Sequence, residues 1–286
     1  MRSYALLYGR GEGMLTGMID VACRISPATK RFLLKIWFQA LAQLDKEAQM
    51  LFMNYGYIDL RPDAGAIALQ DEDEKDRYCI QLYHAVAGAI TLKNLDVLEI
   101  GCGRGGGASY MMRYLQPKSV VGIDRCVTAV QFCREQYSVE GLSFSLGNAQ
   151  SLPFRENTFD AVVNIESSHC YESMEDFLRE VFRVLRPHGS FLFTDFRNKN
   201  HVEMLRKQLQ DAGFVALEET CITPNVVRAL DLDNQRKMNL IQQKIPKKLQ
   251  KIFQLFAGVQ GSKTYEAFRT GAVEYRSFVL CKGTIS

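Results

Sequence analysis

The run VLEIGCGRGGG, Val97 to Gly107, decides how the rest of the chain is read. An apolar strand leads into a cluster of glycines, and residues 106–115 then read as a helix. Gly101 and Gly103 carry no Cβ, so the backbone can turn tightly there and a ligand can approach it closely. Gly101, Gly103 and Gly106 also satisfy the dinucleotide pattern G-x-G-x-x-G, which keeps a nicotinamide cofactor open at this point. Glu99 stands two residues before Gly101; a buried carboxylate there suits a ligand bearing an amine better than one bearing a pyrophosphate. Asp124 follows 23 residues after Gly101 and ends a second strand. That spacing suits a carboxylate accepting hydrogen bonds from ribose hydroxyls, for either class of cofactor.

Outward from this run, short β-rich stretches alternate with helical ones. Strands are expected at 96–100, 119–123, 142–146, 161–165, 190–196, 215–219 and 277–282, with helices at 106–115, 127–137, 174–185 and 200–212. Such alternation implies an α/β fold, a largely parallel sheet with helices on both faces. Residues 1–95 read as an N-terminal helical extension or lid, including the apolar stretch Phe32 to Leu44 and the turn-rich Asn54 to Pro62. The acidic run Asp71 to Asp76 reads as a solvated first turn of a helix. The core spans 96–222 and resumes at 272–286 for the last strand. Residues 223–271 break the rhythm and read as an inserted helical cap. No acidic residue falls between Asp233 and Glu266, while seven basic ones do, and Leu249, Ile252, Phe253 and Phe256 form an apolar stripe. The stripe packs on the core, or the cap is a basic amphipathic lid that touches an anionic membrane through residues 234–265.

Composition narrows the function classes. The chain has 286 residues, 47% hydrophobic and 23% charged, which fits a globular protein and excludes a disordered one. Lys+Arg 35 against Asp+Glu 32 leaves +3, too balanced for nucleic acid to be the partner on charge alone. No apolar run approaches the roughly 18 residues of a membrane-spanning helix. No secretory signal is evident. The eight cysteines are scattered with no C-x-x-C pair, which argues against zinc and against a dense disulfide framework and points to reduced thiols in a cytosol.

The order of further segments closes the choice of cofactor. GNAQSLPF (147–154) follows the third strand, FDAVVNIESSHCY (159–171) holds the fourth, and RVLRPHG (183–189) leads into the fifth. This set resembles the class I S-adenosylmethionine-dependent methyltransferases. With FMNYGY, QLYH, FAGVQGSKTYEAF and EYRSFVLCK, it is similar to the bacterial phthiotriol/phenolphthiotriol dimycocerosate methyltransferases over about residues 50–286. The resemblance implies a seven-stranded Rossmann-like sheet whose last strand is antiparallel, S-adenosyl-L-methionine as cofactor, and O-methylation of a hydroxyl on a polyketide-derived lipid. It also implies that Gly101, Cys102, Gly103 and Gly105 shape the pocket for the methionine part, with Glu99 orienting the loop or reaching the ammonium through water. Asp124 binds the ribose with Arg125 flanking it, Asn148 and Ala149 face the adenine, and the Asn164 backbone accepts from the ammonium. Many relatives have Asp where this chain has Asn148, whose amide oxygen must then face the adenine amino group.

Transfer of a sulfonium methyl requires a lone pair in line with the carbon–sulfur bond, and an alcohol nucleophile must also lose its proton. His169, just past the fourth strand where open α/β sheets bind ligands, is the candidate base. Glu166 is the rival base, with a structural role equally open. Tyr83 on the preceding helix is a candidate to close over the cofactor, and Tyr55 and Tyr57 are similar lid candidates. Cys170 beside His169 lacks an identifiable third residue to orient a nucleophilic pair. Other readings are an amine or carbon acceptor, and a cofactor-retaining protein without transferase activity. Oligomeric state is not legible.

Overall fold

The seven expected strands form one sheet, and their turn residues set where each begins. This computed structural model describes residues 50–283. The strands are β1 Asp96–Ile100, β2 Ser119–Asp124, β3 Leu142–Leu146, β4 Phe159–Ile165, β5 Leu185–Asn198, β6 Phe214–Cys221 and β7 Val273–Lys282. Their order is β3-β2-β1-β4-β5-β7-β6. Neighbours from β3 to β5 pair in parallel, while β7 runs antiparallel to both β5 and β6. The chain reverses its direction of travel across the sheet between β1 and β4. Ligands of open α/β sheets bind beyond the carboxyl ends of the strands at such a point.

Both faces of the sheet are covered, so its central strands are mostly apolar, with Glu99, Asn164 and Asp195 as buried exceptions toward their carboxyl ends. Val97, Ala161, Val163 and Leu192 point to one side, Leu98, Val162, Phe191 and Phe193 to the other. This is the period of two expected of a pleated strand. Helices α1 Arg77–Ala87, α2 Gly106–Leu115 and α3 Val127–Gln136 pack on the first face. Helices α4 Met174–Val184 and α5 Val202–Asp211 pack on the second. In α4, Phe177, Leu178, Val181 and Val184 are fully buried at helical spacing, and Ser173 caps the start by accepting from the Asp176 N–H at 3.0 Å.

The cap comprises α6 Thr223–Lys244, α7 Lys247–Ala257 and α8 Lys263–Arg269. Pro224 sits in the first turn of α6, where its missing N–H costs no hydrogen bond. Phe253 of the apolar stripe is buried beside Ile241 and Ile245, so the stripe faces inward. Not all of the cap's basic charge points outward. Arg236 is held by both oxygens of the buried Asp233 at 2.6 and 2.7 Å, and the Lys237 side chain is only 11% exposed.

Two readings are refined ahead of the core. Residues 50–70 form an irregular strap, in keeping with the turn-rich Asn54 to Pro62, and the helical part of the expected extension among the described residues is confined to Asp71–Ala87. Phe32 to Leu44 lies outside the described residues. The acidic run is a 3-10 turn, Asp71–Asp76, that leads directly into α1; Asp71, Glu72 and Glu74 are solvated as expected, whereas Asp73 and Asp76 are not. Asp73 and Asp76 are buried in it because each meets a cation. Asp73 takes two hydrogen bonds from Arg113 at 2.8 Å and one from Tyr114 at 2.5 Å, and Asp76 lies 3.6 Å from Arg236.

Candidate active site

The glycine turn is built from left-handed backbone, with φ +78° at Gly101, +53° at Gly103 and +78° at Gly105. The N–H groups of Gly101 and Cys102 both donate to Ile123 O, at 2.8 and 3.1 Å, folding the turn onto the end of β2. A Cβ on Gly101 would lie 2.5 Å from Ser167 Oγ; one on Gly103 would meet Met53 Cε at 2.5 Å. Gly105 plays a different part from the one expected. A Cβ there would strike Tyr137, Cys133 and Phe144, so this glycine seats the turn on the core and starts α2. Cys102 is likewise turned beneath the loop, 5% exposed and against Gly122.

Asp124 holds the turn as well as bordering the site. Its Oδ2 accepts from Gly103 N–H at 3.0 Å and its Oδ1 from Cys126 N–H at 2.8 Å. Burial raises its pKa above the usual carboxylate value. Arg125 beside it is exposed. Beyond β3, Ala149 is buried and Asn148 exposed. The Asn148 side-chain oxygen accepts from Gln150 N–H at 3.1 Å. It is committed to its own turn and does not face outward as expected, so the group left to meet a ligand edge is the NH2.

Two buried acceptors border the turn with no close hydrogen-bond partner among the described residues, Asn164 Oδ1 and Glu99 Oε2, the Ala108 N–H lending the Glu99 carboxylate only partial support. Glu99 Oε1 accepts from the Tyr83 hydroxyl at 2.6 Å, and burial pushes the Glu99 pKa up to about 7. Tyr83 packs its ring against Gly107, where a Cβ would lie 2.0 Å away. It therefore supports Glu99 from below, and does not close over the ligand face. The Asn164 NH2 faces Ile100 O at 2.8 Å, Ser167 Oγ at 2.6 Å and the Tyr171 hydroxyl at 3.1 Å. Ser167 and Tyr171 are partners that the sequence did not reveal. A buried acceptor left unpaired costs about 1–3 kcal/mol. A ligand ammonium would satisfy these two, so the residues present fit S-adenosyl-L-methionine.

His169 lies in a single 3-10 turn, Ser168–Cys170, after β4. Its Nδ1 is 2.9 Å from Asp195 Oδ1, and its backbone N–H donates to Asp195 Oδ2 at 2.9 Å. Asp195, on β5, is fully buried. It also accepts from Ser168 Oγ at 2.5 Å and Phe196 N–H at 2.8 Å, and lies 3.2 Å from Arg197. Burial alone would raise its pKa, but His169, Arg197 and these donors hold it well below the carboxylate range. For His169, burial opposes the charged ring, but Asp195 and Cys170 outweigh it and raise the pKa. An anionic Asp195 holds the proton on Nδ1, so in the neutral ring Nε2 is the nitrogen that accepts one. The third residue missing from the sequence reading is thus Asp195. A carboxylate inside the apolar strand SFLFTDF was the available signal, since an unpaired one there is costly.

Glu166 and His169 line a cavity of about 180 Å³ between the core, the strap and the cap. Its other walls include Phe52, Tyr55, Phe196, Ile241, Phe253 and Phe256. Tyr57 lies outside this lining, its N–H donating to Tyr78 O at 3.0 Å.

The sheet order, the glycine turn and the acidic ends of β1 and β2 define a class I S-adenosylmethionine-dependent methyltransferase. A methyltransferase domain profile matches residues 98–193. A cyclopropane synthase from Mycobacterium tuberculosis shares the fold with a TM-score of 0.65 at 17% identity, covering 84% of this chain and 95% of its own. The fatty-acid O-methyltransferase of Mycolicibacterium smegmatis is 35% identical over 95% of this chain and 98% of its own. The phthiotriol/phenolphthiotriol dimycocerosates methyltransferase of Mycobacterium tuberculosis is 33% identical over 90% and 94%. The chain belongs to the family of S-adenosylmethionine-dependent O-methyltransferases that contains these two enzymes.

Glu99 yields a test of the cofactor site. An ammonium beside it favours the carboxylate, so binding releases the proton that Glu99 retains below a pKa of about 7. Titration calorimetry with S-adenosylhomocysteine should show affinity rising by about tenfold from about pH 6 to about pH 8, and Glu99→Gln should flatten the rise. Binding by the unaltered protein that ignores pH across this window would contradict the assignment.

Proposed function

We propose that the protein transfers a methyl group to a hydroxyl of a hydrophobic, lipid-type acceptor held in the cavity between core and cap. The observation that carries this reading is the pairing of a largely apolar cavity, whose lining also includes Asp76, Arg236 and Lys237, with His169 in its wall and Asp195 behind that imidazole. In this reading residues 96–222 and the last strand, from 272 onward, form the S-adenosylmethionine-binding core, while residues 50–95 and 223–271 frame the acceptor. When bound, S-adenosyl-L-methionine supplies an electrophilic methyl and a good leaving group. Glu99, Asn164 and the Gly101–Gly103 turn hold its methionine part; Asp124 meets the ribose. Asn148 and Ala149 border the adenine, with Arg125 flanking. Asp195 orients the imidazole, and His169 Nε2 takes the acceptor's proton as the oxygen attacks. The apolar walls exclude water and align the acceptor chain.

The relatives' names bear on the acceptor: one methylates a fatty acid, the other is a phthiotriol-type methyltransferase. A carboxylate acceptor is the second reading, favoured by the raised His169 pKa, because an imidazolium would pair with an anion that has no proton to lose. The two readings differ in sign. A base must be neutral, so turnover of a hydroxyl acceptor climbs as pH rises toward the raised pKa. A carboxylate acceptor loses its cationic partner over the same range, and turnover falls.

Lys247, Lys248 and Lys251 are exposed on α7, the helix whose inward residues Phe253 and Phe256 line the cavity. That arrangement supports contact with an anionic membrane surface from which a lipid acceptor enters. Among the described residues no helix is long and apolar enough to cross a membrane.

With a hydroxyl acceptor, His169→Ala should lower turnover by a factor on the order of 10²–10⁴ in a methyl-transfer assay. Asp195→Asn should also lower it and move the acidic limb of the pH–rate profile to lower pH, since the charge that raises the imidazole pKa is gone. Turnover of His169→Ala near the unaltered rate would remove the base role. In co-sedimentation, binding should increase with the anionic fraction of phosphatidylglycerol vesicles and drop in Lys247→Glu/Lys248→Glu. Equal binding to neutral vesicles would contradict membrane contact.

A further inference from the structure

Glu166 adopts φ +48°, a left-handed conformation that costs a non-glycine residue about 1 kcal/mol or more. Such a conformation persists where its surroundings over-determine it. Here Glu166 Oε1 accepts from the hydroxyl of Tyr275, a fully buried residue of β7, and from the backbone N–H of Tyr55 at 2.7 Å. Tyr55 belongs to the strap. On its other side, Tyr55 O accepts from Lys237 Nζ of the cap at 3.3 Å. The core therefore grips one peptide group of this residue and the cap grips the next. The Tyr55 ring fills the space between, 5.7 Å from the Phe196 ring and 5.2 Å from that of Phe268.

The strap that is held this way touches both halves of the site. Two residues before Tyr55, Met53 covers the bare face of Gly103 in the cofactor turn. Phe52 packs on Tyr83, which in turn supports Glu99. Asn54 and Tyr55 themselves line the acceptor cavity.

We propose that Glu166 is a positioning residue, a clamp holding the strap 51–57 across the cofactor turn and the acceptor cavity, and not the base of the reaction. The assignment rests on the cavity being the acceptor site and leaves proton removal to His169. Geometry favours it: one oxygen of Glu166 already receives two donors from two separate elements, and both bonds survive protonation of the other oxygen. Burial raises the Glu166 pKa to about 7, so the clamp must work in either protonation state.

Amide hydrogen exchange on the full chain, read by mass spectrometry with and without S-adenosylhomocysteine, tests the clamp without any acceptor. It therefore stands or falls apart from the acceptor reading. Glu166→Ala removes the acceptor oxygen and should speed exchange in the peptide spanning 51–57 by about tenfold, leaving β1 and β4 peptides unchanged. Glu166→Gln keeps that oxygen and should retain protection within about threefold of the unaltered protein. Lys237→Met cuts the opposite tie and should loosen the same peptide, which keeps the idea testable should Glu166→Ala fail to fold. Unchanged protection in both Glu166→Ala and Lys237→Met, or Glu166→Gln behaving like Glu166→Ala, would overturn the proposal.

Discussion

The structure depends on one constraint: between Ile100 and Gly106 the chain must leave a buried parallel strand, reverse over the end of its neighbour and start a helix. Left-handed backbone at Gly101, Gly103 and Gly105 makes that path possible. Asp124 secures it by accepting from Gly103 N–H, and Ile123 O secures it by accepting two N–H groups. The same carboxylate that closes the turn is the one expected at the ribose. In the proposed site, shape and ligand recognition would therefore rest on the same carboxylate.

A second principle organises the acceptor side: buried charge is tolerated only where it is paired. Asp195 lies fully buried among His169, Ser168 and Arg197. Asp233 and Asp76 lie beside Arg236 at the cap. Asp73 lies against Arg113 and Tyr114. The first of these pairings holds the imidazole that lines the largely apolar cavity. The other two fasten the segment ahead of the core to the cap and to α2. Electrostatics thus sets both the His169 end of the cavity and its frame.

Much of this was legible in the sequence because it is local. The period of two along β1, β4 and β5 and the glycines after Ile100 follow from residues close to one another. The placement of Glu99 and Asp124 at strand ends follows in the same way, and the family resemblance adds the count of seven strands and the antiparallel last one. What was illegible is long-range. Asp195 and His169 are 26 residues apart, Tyr55 and Glu166 111 apart, and Tyr55 and Lys237 182 apart. No periodicity reports which polar side chains meet across such distances. Asp73 and Asp76 read as solvated with the rest of the acidic run because their partners Arg113 and Arg236 lie on other elements. Gly105 read as part of the ligand face because a pattern cannot say which way a missing side chain would point.

The central claim is that the glycine turn presents a sulfonium methyl to an oxygen in the cavity beside it. The most direct measurement incubates the purified chain with S-adenosyl-L-methionine carrying an isotopic label in its methyl group and a mixed lipid extract. The label is then located by mass spectrometry and carbon resonance. The account predicts label in the lipid fraction, bonded to oxygen, and none there when S-adenosylhomocysteine is in excess. Label bonded to carbon or nitrogen, or label left entirely on the cofactor by folded protein that binds it, would contradict the account.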